Sequence, residues 1–316
     1  MTTKIKITLK ALGLGLLAVP AIFSFTACGG GRDLDKKASC NTNKSYATST
    51  VAEFNEKTTG VSYIKGNAGG YRVTVEANAE GYAGPEGYQT KYYLNLLSNA
   101  AIRLGEKKED YQLGMKTTMN CDLVGLKANI TTEAYVVDGN LYAHTYPTTI
   151  ETGHIKTEIT EQKIMVEGIT ADYAMTNVGE MDVAYDQDTI MDFIKKYQDL
   201  ASFQVSTNGN DVGFKVVFDN SVAFGDMTNI VAYVNVDAKY ANDPEASNGY
   251  MIKELRIEGD YSTTAGSGAT SGLISMAGRM SVTISEYWGD SEGNVIHPSF
   301  NGYKAGSISD IGGLTK

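Results

Sequence analysis

The chain has 316 residues, with 37 acidic against 27 basic side chains and a formal net charge of −10. So acidic a body repels phosphate backbones and anionic bilayer surfaces, which excludes nucleic acid as an expected partner and excludes flat adsorption on such a membrane. Glycine is plentiful at 34, proline scarce at 5 and tyrosine abundant at 20, a mixture suited to antiparallel sheet because tyrosine fits a half-buried pleated surface.

The first segment reads as an export signal. Lys4, Lys6 and Lys10 precede an uncharged run from Ala11 to Phe25 that is rich in Leu, Ala, Ile and Phe and is broken by Gly13, Gly15 and Pro20. A spanning helix wants about 20 apolar residues, and this run is shorter, as the apolar core of a signal peptide is. It ends in Phe25-Thr26-Ala27-Cys28, which resembles the lipobox of bacterial lipoproteins, with Phe25 where that family usually has Leu. The resemblance implies that residues 1–27 are a signal peptide, cut between Ala27 and Cys28. It also implies that Cys28 is acylated, with diacylglycerol and palmitate, and holds the protein on the extracytoplasmic face of the cell membrane. One acyl chain binds a bilayer marginally and two anchor it stably. Losing the three lysines takes the charge from −10 to −13.

Residues 28–45 follow as an expected flexible tether. Gly29, Gly30 and Gly31 have no side chain to pack, and the charges, Ser, Asn and Thr beyond them offer little apolar surface to offset ordering entropy. With Cys28 lipidated, Cys40 and Cys121 remain. Outside the cytoplasm they either pair, stapling tether to sheet, or stay free thiols. Their spacing fits no zinc or redox motif.

Residues 46–316 read as a single β-rich domain. A short helix is expected near Ser49 to Lys57, with Thr50 and Glu53 as a capping pair and Val51 and Phe54 as its apolar contacts. Period-two alternation then predicts strands from Tyr71, from Tyr88 to Leu97, and from Leu126 to Val137. The last turns through Asp138-Gly139-Asn140 into Leu141–Tyr146, a strong hairpin signal. A longer helix is expected over Asp188–Leu200, where Ile190, Phe193, Ile194 and Tyr197 fall at i, i+3, i+4 and i+7. Asp186, Asp188 and Asp192 crowd its start and Lys195 and Lys196 its end, which complements the helix dipole. Thr189 with Asp192 is a further capping pair. A hairpin through Asn208-Gly209-Asn210 follows, then strands at Ile230–Val236, Ile252–Tyr261 and Ile274–Trp288, with a loop at Gly266–Gly272. The expected fold is mainly β (α+β): a large curled antiparallel sheet or half-barrel with a few helices on its concave face.

No catalytic, metal or cofactor motif stands up. Gly289-Asp290-Ser291-Glu292-Gly293 matches the nucleophile-elbow pattern in letters, but Asn294 to Pro298 after it is not a helix, and a turn is the simpler reading. His144, His154 and His297 lack metal-ligand spacing. Asp182, Asp186, Asp188 and Asp192 lack the central Gly and terminal Glu of a calcium loop. The chain is therefore read as a non-enzyme.

The tether, the sheet, the Val137–Tyr142 hairpin, and the Asp188–Leu200 helix followed by the Phe203–Phe218 hairpin together resemble the layout of LolA/LppX-like lipoproteins over roughly residues 46–304. That resemblance implies a half-barrel whose cavity takes acyl chains, with no catalytic residue. Two functional readings follow. One is a carrier of a lipid or other apolar ligand, with Ile190, Phe193, Ile194 and Tyr197 forming one cavity wall or, alternatively, plain core. The other is a surface interaction or structural lipoprotein with a protein or glycan partner.

Overall fold

The computed structural model describes residues 32–58, 70–83, 90–105, 107, 110–123, 126–171, 174, 187–237, 250–265 and 274–310. The lipobox with Ala27 and Cys28, the acidic residues Asp182 and Asp186, and the Gly266–Gly272 loop lie outside them.

In chain order a short strand β1 (Ala47–Ser49) leads into helix α1 (Val51–Thr58). Four long strands follow, β2 (Tyr71–Ala83), β3 (Thr90–Arg103), β4 (Gln112–Leu123) and β5 (Leu126–Val137), then four short ones, β6 (Asn140–Thr145), β7 (Thr148–Thr152), β8 (Ile155–Ile159) and β9 (Gln162–Glu167). Helix α2 (Gln187–Lys196) and a 3-10 turn (Gln198–Leu200) precede β10 (Ala201–Asn208), β11 (Asp211–Phe218), β12 (Met227–Asp237), β13 (Met251–Ala265) and β14 (Ile274–Glu286), with β15 (Lys304–Ala305) last. Among the described residues these fifteen strands form one sheet, ordered β1-β10-β11-β12-β13-β14-β2-β3-β4-β5-β6-β9-β15, with β7 and β8 beside β5. The pairing is antiparallel except for β15 against β9.

The mainly β, antiparallel fold is as the sequence implies. The sheet is open and uncurled, however, so the half-barrel is corrected. Curling is expected where one helix stripe has to cover so many strands. The cover is in fact divided between both faces.

On one face, the helix face, alternate residues of the strands are apolar and buried. Val234, Leu255 and Ile284 stand side by side on β12, β13 and β14 and are fully buried, and Leu94 meets Cys121 across β3 and β4. Helix α1 sets Phe54 between Phe203 and Phe214, ring centroids 5.2 Å from each. Helix α2 sets Phe193 against Phe218 at 5.0 Å and Phe224 at 4.7 Å. Ile169, Ala171 and Ala174 pack on Ala134, Val136, Leu141 and Ala143 at the β5–β6 side.

The opposite face is polar, and among the described residues two irregular stretches cross it near the end of the sheet that holds Tyr71, Ile102 and Glu286. One is the N-terminal stretch from Arg32 to Tyr46, here called the strap. The other runs from Tyr287 to Phe300. Leu34 is fully buried among Ala101, Tyr135, Val137, Tyr287 and Val295. The expected tether over 28–45 is therefore packed from Arg32 onward. Its polar groups find partners on a polar sheet face, which offsets the ordering entropy that its composition alone could not.

Candidate functional site

The helix stripe is core. Ile190 and Ile194 are fully buried, Phe193 is nearly so, and Tyr197 packs half-buried against the same cluster, its ring 5.1 Å from Phe193. These side chains touch the sheet where the carrier reading needs a cavity. The described helix spans Gln187–Lys196, which places Thr189 of the expected Thr189–Asp192 pair inside it and not at a cap position. The Thr50–Glu53 pair does cap α1: the Glu53 amide donates to Thr50 Oγ1 at 3.2 Å.

The two cysteines do not meet. Cys121 sits in the apolar cluster on the helix face, whereas Cys40 lies in the strap on the other face, where the Asn235 amide nitrogen stands 3.6 Å from its sulfur. Five strand spacings separate β4 from β12, or about 24 Å at ~4.8 Å each, far beyond disulfide reach. Both are free thiols. Burial, helped by the Glu254 carboxylate, pushes the Cys40 thiol up to about 12, and burial also raises Cys121. Neither forms a reactive thiolate at neutral pH.

Ser291 lies in a turn with Gly289 at φ 64° and Gly293 at φ 80°. Asp290 Oδ1 accepts from the amides of Glu292 and Asn294, each at 2.9 Å, and the Asn294 bond is the main cause of its lowered carboxyl pKa. This is a closed Asx-type turn with no helix after it. His297 Nδ1 pairs with the Pro298 carbonyl at 2.9 Å and its ring stacks on Phe300 at 4.4 Å. His144 is buried, with Nε2 2.7 Å from Glu161 Oε1. Burial pulls the His144 pKa below its ordinary value despite that carboxylate, while the His144 hydrogen bond, with Lys163 assisting, holds the Glu161 carboxyl low. His154 is exposed in the turn between β7 and β8. Asp188 and Asp192 project outward from α2. Among the described residues no three His, Cys, Asp or Glu side chains converge as metal ligands.

The strap is held by polar contacts in succession. Arg72 donates from Nη1 to the carbonyls of Asp33 and Lys36, both at 2.9 Å, and from Nη2 to Asp33 Oδ2 at 3.1 Å. Asn99 donates to the Leu34 carbonyl, the Ala38 amide to Thr74 Oγ1 at 2.7 Å, and the Asn41 amide to Glu254 at 2.8 Å. Lys44, almost fully buried, pairs with Asp211 at 2.8 Å. Gly213 makes room there, since a Cβ would lie 2.7 Å from Asn235 Oδ1 and from Lys44 Cδ. An open groove of about 560 Å³ beside this crossing is lined by Asn41, Asn43, Lys44, Asn208 and Asp211 among others.

Toward the other end of the sheet, where Ala83 and Thr90 pair, no described segment crosses this polar face. Asn78, Asn95, Asn120 and Asn129 stand directly opposite one another on β2, β3, β4 and β5. Arg279 and Asp260 extend the same row onto β14 and β13. Three of the four asparagines are exposed and Asn120 is half-exposed. Beside them Tyr82 and Tyr93 are 49% and 36% exposed. The charges on this surface are paired: Lys91 with Glu80 at 2.7 Å, Lys127 with Asp122 at 3.0 Å and Arg279 with Asp260 at 3.5 Å.

Comparison with known proteins adds no relative: no family model matches this chain, and no curated protein does. Among the described residues no helix is long and apolar enough to cross a membrane.

Proposed function

We propose that this chain is a lipid-anchored protein of the extracytoplasmic face of the cell membrane that works by binding, without catalysis, and that its partner is a protein or a glycan. The Phe25–Cys28 lipobox pattern and the charge and length of the run before it support the anchor. One observation carries the choice of partner. The apolar stripe of α2 is spent on the core, whereas the polar sheet face is left open over four adjacent strands. A carrier of acyl chains needs the reverse arrangement, an apolar wall free to receive them.

Labelling cells with an alkyne palmitate should tag the parent chain, and Cys28→Ala should lose the tag and leave the membrane fraction. Retained label in Cys28→Ala would remove the anchor assignment. Native mass spectrometry of the Cys28→Ala chain should give the protein mass alone. A stoichiometric co-purifying lipid would return the function to the carrier reading. In intact cells a photo-crosslinking side chain at Asn95 should form an adduct, and its failure to do so would sink the interaction reading.

A further inference from the structure

Asparagine is depleted in strands because its amide competes for backbone partners and packs poorly on the pleat. Here four occupy one cross-strand row within strands of 12 to 14 residues. Thr118 and Thr131, one position pair along the same face, show that a better strand former fits. Positions where a sequence breaks its local preference are where a functional reason is expected.

The amides do not satisfy one another. Among the described residues none of the four makes a side-chain hydrogen bond. Each therefore offers one carbonyl acceptor and two N–H donors to whatever lies on the face. Adjacent strands repeat at about 4.8 Å, so the row is an evenly pitched ladder of amides close in step to the residues of an extended pyranose chain. An acetamido group offers one N–H donor and one carbonyl acceptor on opposite sides, and each can bond an Asn amide of the row; because successive acetamides of a β-1,4 chain lie on opposite edges, those of one edge meet alternate rungs. Tyr82 and Tyr93, exposed beside the row, have the apolar ring and polar hydroxyl that suit the C–H side and the rim of a sugar. Charge selects among polymers. The ions on this face neutralise one another in pairs, and a chain at −10 repels a polyanion.

We infer that the uncovered polar face is a binding platform for an uncharged, N-acetylated glycan strand laid across β2 to β5, read by the Asn78–Asn95–Asn120–Asn129 ladder and flanked by Tyr82 and Tyr93. This deepens the interaction reading above and rests on it.

The test titrates chitohexaose, the β-1,4-linked hexamer of N-acetylglucosamine, into the full chain in detergent, with cellohexaose as the matched sugar lacking acetamides. Chitohexaose should bind at least tenfold more tightly than cellohexaose. The variant Asn78→Thr/Asn95→Thr/Asn120→Thr/Asn129→Thr should lose at least tenfold in affinity while its Tm stays level or rises. Asn95→Thr alone, a change at one exposed side chain, should lose about threefold and keeps the test open should the fourfold variant not fold. Parent-like binding by both variants, no binding by the parent, equal binding of the two sugars, or a lower Tm in Asn95→Thr would each overturn the inference. If chitohexaose fails while the Asn95 crosslinker still forms its adduct, the glycan inference falls and the interaction reading stands. If both fail, both fall.

Discussion

The Asp33 carboxylate and the Arg72 guanidinium face each other at 3.1 Å, with both side chains less than a tenth exposed. The same guanidinium lies 5.0 Å over the Tyr287 ring, so one side chain joins the strap, β2 and the stretch after β14. Removing one member of a buried pair costs about 3–5 kcal/mol where the other charge is left alone; here Lys36 Nζ stays 3.5 Å from Asp33, which sets the loss at the low end of that range. Arg72→Ala should lower stability by that amount in urea unfolding. Arg72→Lys should recover little, because an ammonium lacks the fork that reaches three oxygens at once. A loss under about 1 kcal/mol in Arg72→Ala would show that the Asp33–Arg72 contact adds little to the fold.

The α2 stripe gives a second outcome. Ile194→Ala should cost about 2–5 kcal/mol, as deletion of a fully buried aliphatic side chain does. Tyr197→Ala should cost less, since Tyr197 is only partly buried. Urea unfolding checks both. A neutral Ile194→Ala would mean that the side chain borders empty space.

Thiol accessibility gives a third. Cys40 and Cys121 should both resist a thiol reagent in the folded protein and both react once it is unfolded in urea. Mass spectrometry without reductant should find no Cys40–Cys121 bridge. Rapid labelling of the folded chain at Cys40 would show that the strap does not cover it.

A fourth concerns acid. His144 has a folded pKa below its ordinary 6.5, so the unfolded chain takes up the proton first as pH falls. Stability should therefore decline as pH drops below about 6.5, levelling once the folded imidazole also protonates. Glu161, held below its ordinary 4.5, adds a second loss at lower pH. His144→Gln should flatten the first decline in a series of Tm measurements across pH. An unchanged slope would assign the effect elsewhere.

Much of the fold is legible in the sequence because turns and periods are local. Asp138 and Gly139 both sit at positive φ, 51° and 71°, as the hairpin signal requires, and Gly209 does the same at 61°. Strand β4 also had a signal, since Leu113, Met115, Met119 and Cys121 alternate with Gly114, Lys116, Thr118 and Asn120, but its apolar side is weak and sulfur-rich. The strap was not legible. Leu34 is its one large aliphatic residue, and most of its remaining anchors are hydrogen bonds to residues 36 to 246 positions away, with the Tyr46 ring 6.4 Å from that of Tyr233. The asparagine row was hidden for a related reason. Each Asn is unremarked on its own strand, and only the register between strands places the four in line. The helix stripe at Ile190 was plain as a periodicity. Whether it faced a void or the sheet was a question of packing.

The strap also decides how the domain answers a pull from its N-terminus. It runs across the strands, meeting Arg72 on β2, Ser285 on β14, Glu254 on β13 and Asp211 on β11 in turn. Tension would thus reach one fastening at a time, beginning with Asp33–Arg72, and each would have to yield before the next was loaded. The sheet's own ladders would be spared until that seam had opened, which makes the strap a fuse between a tugged N-terminus and the folded body.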